Sequence, residues 1–333
     1  MPLPSPITAG GVFSAQAVLA LNALIAGPFV TQGNVWWVKP FTGSDQNDGK
    51  SAASAFKTLL FALAAATANQ NDIVLFCAEG STIANTTDFQ SATLDWNKDL
   101  VHLIGVNNQA SSSFSRVAFL STYATASNLF TLSGNGCLIS GVEFSEGVTS
   151  TAPTGCFLVT GSRNHIVNCH IQMAAAANAI AGSYQIKLSG CSDNVFEDCL
   201  IGNDTITQGA AANALLQLDG TAASSRNEFR RCSWFMKTSS ATNTVFMRVP
   251  ATSMAGFLLF RDNVFMNSID AASPSTQLTQ AAVIVASGGS VILAGYTSMI
   301  GATDWNATDA GNVYGAGYTV TAASFGLGAA VTR

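Results

Sequence analysis

Charged residues are scarce in this chain: they make up 10% of its 333 residues, against 48% that are apolar. The 14 Lys and Arg are scattered, and the net charge is -5 with a pI near 5.0. Nothing in that distribution neutralises a phosphate backbone or docks on an anionic membrane, so neither nucleic acid nor membrane is expected as a partner. Cys77, Cys137, Cys156, Cys169, Cys191, Cys199 and Cys232 form no CxxC pair and have no His at zinc-ligand spacing. Their odd number fits free, buried thiols made in a reducing compartment. No Ser or Cys stands in a nucleophile motif, and His102, His165 and His170 suggest no triad. Gly134-Asn135-Gly136 lacks the following helix that a phosphate cradle needs. No metal or cofactor site is expected. The apolar content and 29 glycines supply a long core with many turns, and disorder is excluded.

What is present is a repeat. Arg163-Asn164-His165-Ile166-Val167-Asn168-Cys169, Asp193-Asn194-Val195-Phe196-Glu197-Asp198-Cys199 and Arg226-Asn227-Glu228-Phe229-Arg230-Arg231-Cys232 share an Asn, an apolar residue two later and a Cys five later. The Asn residues are 30 and 33 positions apart. One such coil cannot bury its own apolar face and must stack on another, which predicts a solenoid. A second series carries the period of a strand with one buried face: Phe130-Thr131-Leu132, Phe157-Leu158-Val159, Ile186-Lys187-Leu188 and Leu216-Gln217-Leu218, each followed within two residues by a turn Gly. Asn164, Asn194 and Asn227 are read as corner residues that tolerate a left-handed backbone or bond to peptide groups. Cys169, Cys199 and Cys232 are read as small hydrophobes stacked in the core. The fold class expected is an all-β, right-handed parallel β-helix.

Four parts are expected along the chain: an apolar arm over 1–33, a cap over 34–99, coils over 100–303 and a terminal cap or subunit contact over 304–333. The stretch Val12 to Val30 is not expected to be a secretory signal, since no Lys or Arg precedes it and Gln16 and Asn22 interrupt it. It packs either on a partner subunit or on this chain's own solenoid. In the cap, Ser54 is expected to start a helix that places Phe56, Leu59, Leu60, Leu63 and Ala66 on one face. Asp72 to Cys77 is the first core strand, and the last strands fall at Val283-Ile284-Val285 and Val291-Ile292-Leu293.

The run Gly43-Ser44-Asp45-Gln46-Asn47-Asp48-Gly49, with Phe56-Lys57-Thr58-Leu59 and Asp72-Ile73-Val74-Leu75, resembles the N-terminal cap of pectate-lyase-like right-handed β-helices. Bacteriophage tailspikes and other virion proteins resemble this pattern. The resemblance implies the fold; no residues match the family's calcium-binding aspartates or the acidic pairs of its hydrolases.

Stacking places Val167, Glu197 and Arg230 in one column and Asn168, Asp198 and Arg231 in the next. The preferred reading is an ion-pair ladder. If the chain is an enzyme, Glu197 and Asp198 are the candidate acid and base of a glycoside hydrolase, although neighbouring arginines oppose a protonated carboxylate. The outward column Thr131, Leu158, Lys187, Gln217 and Arg248 reads as basic groups without acids beside them. Asp45, Asn47, Asp48 and Gly49 read as a polar turn rather than a calcium loop, because Phe56 stands where a twelfth-position Glu is needed. The function expected is a structural, non-enzymatic virion component, capsid-decorating or head-associated, assembled in the host cytoplasm. It is expected to be a homotrimer and to contact other virion proteins, such as the major capsid protein, through residues 1–33. A tailspike-type polysaccharide-degrading enzyme and a glycan-binding module using Trp96, Trp234 or Trp305 are the rival expectations.

Overall fold

The structure, a computed structural model, describes residues 33–77, 89–90, 93–106, 115–119, 128–146, 155–173, 180–268, 278–284, 289–305, 313–315 and 318–319. The chain winds into a parallel β-solenoid. Its first sheet has eleven strands, starting with Val35–Val38 and Asp72–Cys77 and continuing through His165–Val167, Val195–Glu197 and Asn227–Arg230. A second sheet has seven strands, from Leu94–Trp96 to Ala282–Ile284, and a third has eight, from Phe89–Gln90 to Ser298–Ile300. Each turn visits the first, third and second sheet in that order. The repeat motif therefore lies on the first sheet, and the Phe-Thr-Leu series lies on the second, where Phe130, Phe157, Ile186 and Leu216 stand in register.

Inside, the aromatic residues stack along the axis. Phe196 and Phe229 lie 4.6 Å apart, Phe229 and Phe260 5.2 Å apart, and Trp234 packs edge-on to Phe229 at 5.0 Å. The end of the solenoid differs from expectation. Val291-Ile292-Leu293 is not the last coil: Val313–Gly315 pairs parallel to it and Tyr318–Thr319 closes the edge antiparallel, because Val313 and Trp305 still have apolar surface to bury. Residues 1–32 and most of 304–333, including the arm, lie outside the described residues.

The cap helix spans Leu59–Ala65. Thr58, not Ser54, caps it: its hydroxyl accepts from Phe61 N at 3.2 Å, and Asp45 accepts from the amides of Lys57 and Thr58. Ser54 instead donates to Asp48 at 2.6 Å. The carboxylates of Asp45 and Asp48, and Asn47 through its amide to Ala55 O, are thus engaged in a polar turn. Leu59, Ala62 and Leu63 face the core, whereas Leu60 is exposed, since the helix begins two residues before Phe61 and turns Leu60 outward.

The corner between the first and third sheets has two residues in successive coils: Asn168-Cys169, Asp198-Cys199, Arg231-Cys232 and Asp262-Asn263. The first of each pair is left-handed, with φ between 50° and 57°. Ahead of the first sheet, the left-handed residues are Arg163, Asp193 and Arg226, one before each motif Asn. The Asn residues do not themselves adopt that backbone; they bond to peptide groups. Asn194 Oδ1 accepts from Asn164 N at 2.9 Å, and its Nδ2 donates to Gly161 O at 3.1 Å and to Asn227 Oδ1 at 3.0 Å. Asn164 repeats this toward Cys137 N and Gly134 O.

The cysteines also do more than fill space. Each of Cys169, Cys199 and Cys232 donates its thiol to the carbonyl two residues earlier and to one in the preceding coil, as Cys232 does to Arg230 O at 3.3 Å and Phe196 O at 3.5 Å. One coil further on, Asn263 occupies the same place and makes both bonds with its amide, to Arg261 O and Phe229 O. In the next coil Thr297 bonds with its hydroxyl to Ala294 O, three residues earlier, and to Phe260 O in the preceding coil. From Cys169 to Thr297 the column holds a buried donor, and three residue types supply it. All seven cysteines are free and buried.

Candidate functional site

Chemistry on a solenoid belongs to side chains that alternate outward from its sheets. On the first sheet, Glu197 stands opposite Arg230 in register, yet the side chains pair otherwise. Arg231 grips Asp198 in a two-point contact, Nε to Oδ1 at 2.8 Å and Nη2 to Oδ2 at 2.9 Å, and reaches Glu197 Oε1 at 2.5 Å. Its left-handed backbone swings it back over the preceding coil. His165 holds the other oxygen of Glu197 at 2.8 Å, and Arg230 turns to Glu228 of its own strand at 2.6 Å. Asp193 and Arg226 add another bidentate pair. Partial burial pushes the Glu197 carboxyl up, but hydrogen bonds from Arg231 and His165 outweigh it and hold the group below its ordinary value. Glu197 and Asp198 are therefore brought together, as members of an ion-pair ladder.

The second sheet's outward column is Thr131, Leu158, Lys187, Gln217 and Arg248, as the strand period predicts. It does not lack acids. Lys187 Nζ lies 3.4 Å from Asp219 Oδ2, and Asp95 stands opposite Thr131 one coil below. Asp219 is the turn residue after the strand, which folds its carboxylate back beside Lys187. Burial raises its pKa, but bonds from the backbone and hydroxyl of Thr221 and from Ser189, with the Lys187 charge, bring it down to about 2. Lys187 also lies 5.7 Å over the Tyr184 ring. Gln217 is half-buried between Lys187 and Arg248, whose Nη2 donates to Asn243 O at 2.7 Å.

A cluster on the third sheet was not legible as a site. Arg116, Glu143 and His170 are successive partners in register. Glu143 is buried and takes Arg116 Nε and Gln172 Nε2, each at 3.0 Å. His170 donates from Nε2 to Gly202 O at 3.0 Å, and its Nδ1 has no partner among the described residues. Burial lowers the His170 pKa. The coil holding Glu143 carries Cys137 and Val142 where later coils carry Asn and Cys, so the motif gave no register there. His165 and His170, close in sequence, face outward from different sheets. Trp96, Trp234 and Trp305 are all buried, which removes them as exposed stacking platforms for a sugar.

No protein-family model and no curated sequence matches the chain. Solved structures match its fold at low identity. A rhamnogalacturonan lyase aligns with 80% of this chain and 73% of its own, at 14% identity and a TM-score of 0.51. The pectate lyase Pel9A covers 84% and 81%, at 15% identity and a TM-score of 0.40. The tailspike of E. coli bacteriophage HK620, in complex with a pentasaccharide, covers 90% of this chain and 54% of its own, at 12% identity and a TM-score of 0.36. The chain has the pectate-lyase-like parallel β-helix fold, and its structural neighbours include polysaccharide-acting enzymes and a phage tailspike.

Proposed function

We propose that the chain is a structural, non-catalytic β-helix of a bacteriophage virion that contacts polysaccharide through the outer face of its second sheet. The observation that carries this reading is the state of its carboxylates. Asp219 is held ionised down to about pH 2, and Glu197 and Asp198 are locked to Arg231. A glycosidase needs one carboxyl kept protonated near its working pH, and these three groups are arranged for the opposite. Lys187, Gln217 and Arg248 offer polar groups on three successive coils about 4.8 Å apart, a spacing suited to a linear polymer lying along the axis. The likeness to a rhamnogalacturonan lyase supports the architecture; the residues above supply the chemistry. A virion location is favoured by the apolar segment 1–33 as an assembly element, with the major capsid protein as its partner for a head position.

The test is to incubate the purified chain with polysaccharides from candidate host surfaces and follow both binding and release of new chain ends. Saturable binding without product, weakened at least tenfold by Gln217→Ala combined with Lys187→Ala, is expected. Product release that Glu197→Gln or Asp198→Asn abolishes would make it an enzyme and overturn the proposal. Gold labelling of particles then separates head from tail.

A further inference from the structure

Arg116, Arg226, Arg230, Arg231 and Arg261 each have a carboxylate oxygen within 3.5 Å. Arg248, half-buried on the outer face of the second sheet, has none among the described residues. Its Nε donates to Asn213 O at 3.4 Å and its Nη2 to Asn243 O at 2.7 Å. Burial lowers its pKa with no acid to offset it, whereas acids raise those of Arg226, Arg230 and Arg231. The two carbonyls take the side of the guanidinium that carries Nε and Nη2. Nη1 and the second Nη2 proton make no bond to a described residue, and that edge matches the two oxygens of a carboxylate. The carbonyls are themselves fixed: Asn243 donates from Nδ2 to Gly209 O at 3.0 Å, and Asn213 Oδ1 accepts from Ser183 N at 2.9 Å. The guanidinium is thus oriented in advance, which lessens the ordering cost of binding.

Gln217 stands beside Arg248 in register on the preceding coil, and its amide bonds to no described residue. Lys187, one coil further back, is already paired with Asp219 at 3.4 Å. The column therefore holds one uncompensated cation among the described residues. We infer that Arg248, with the Gln217 amide, seats a single carboxylate of the bound glycan, so that the chain selects a polymer with isolated uronic acid residues. The inference rests on the reading of the second sheet's outer face as the glycan contact. A neutral polymer leaves the half-buried guanidinium without a counter-charge. A polyuronate brings further carboxylates against Asp219, which lies on the Gln217 coil, two residues along, and is ionised down to about pH 2.

The experiment applies the full-length chain to an array of bacterial surface polysaccharides of known repeat: neutral, with uronic acid at one position of the repeat, or with uronic acid at every sugar. Binding at least tenfold tighter to the middle group is expected. Reducing the carboxyls of a bound polymer, which leaves the protein untouched, should lose that factor. Arg248→Gln should lose it on the native polymer and lose nothing more on the reduced one. Tightest binding to neutral polymers or polyuronates would overturn the inference. So would reduction without effect; if Gln217→Ala combined with Lys187→Ala still weakened binding, the reading of the second sheet would stand without it. Binding to no member of the array, or binding that none of these substitutions moves, would overturn that reading and the inference with it.

Discussion

Replacing Asn194 with Ala tests what holds one coil to the next. Asn194 is fully buried, and its amide serves Asn164 N, Gly161 O and Asn227 Oδ1 at once. The substitution orphans two buried backbone groups at about 1–3 kcal/mol each, so roughly 2–6 kcal/mol should be lost. In a solenoid that loss falls on the interface between neighbouring coils. Urea unfolding followed by tryptophan fluorescence reports it, because Trp234 packs on Phe229, which stacks directly on Phe196 of the Asn194 coil. Exchange of the Asn164 amide should accelerate in parallel. Asn194→Leu is the discriminating variant: it restores volume but neither bond, and should be nearly as destabilised as Ala. A Leu variant as stable as the parent chain would refute the reasoning, since apolar packing alone would then suffice.

Stability should fall as pH drops from about 6.5. His102 accepts from Leu138 N at Nδ1, and burial lowers its pKa as it does that of His170. The unfolded chain then binds more protons than the folded one, which a urea midpoint that rises or stays flat on acidification would contradict. A second loss, on the order of 2 kcal/mol, follows as Asp219 is protonated between its ordinary 3.8 and about 2. The thiols should resist an aromatic disulfide reagent until the chain unfolds, because all seven are buried and burial raises Cys137 to about 11. Phe229→Ala should cost about 3–5 kcal/mol in chemical denaturation, against well under 1 kcal/mol for Phe257→Ala, which removes a residue already 37% exposed. Glu197→Gln should cost less than about 1 kcal/mol in the same assay, the scale of a partly exposed ion pair.

The register of the solenoid was legible because Asn194, Phe196 and Cys199 each meet a fixed demand: a carbonyl to satisfy, a core slot to fill, a corner to tie. Where another residue type met the same demand, the pattern broke. Asn263 and Thr297 do the work of a thiol, so the Cys column looked shorter than it is. The charged ladder was legible as a patch and in its Asp198–Arg231 pair, but not at Glu197, which Arg231 also reaches while Arg230 turns to Glu228 of its own strand. Glu143 and His170 meet only across coils, with no local spacing to announce them.

The two-residue corner between the first and third sheets fixes how this protein can vary. From Asn168-Cys169 to Asp262-Asn263 it has no slack: a left-handed residue and a donor fill it in four successive coils. The other two corners are elastic. Between third and second sheets they span residues 174–183, 209–213 and 239–244, and between second and first sheets 189–194, 219–226 and 250–256. Insertions can therefore accumulate on two edges of the rod without disturbing its pitch, while the remaining edge acts as a spine. A foreign peptide grafted at 239–244 should be displayed from an unaltered scaffold; the same peptide placed after Arg231 should shear the coils apart.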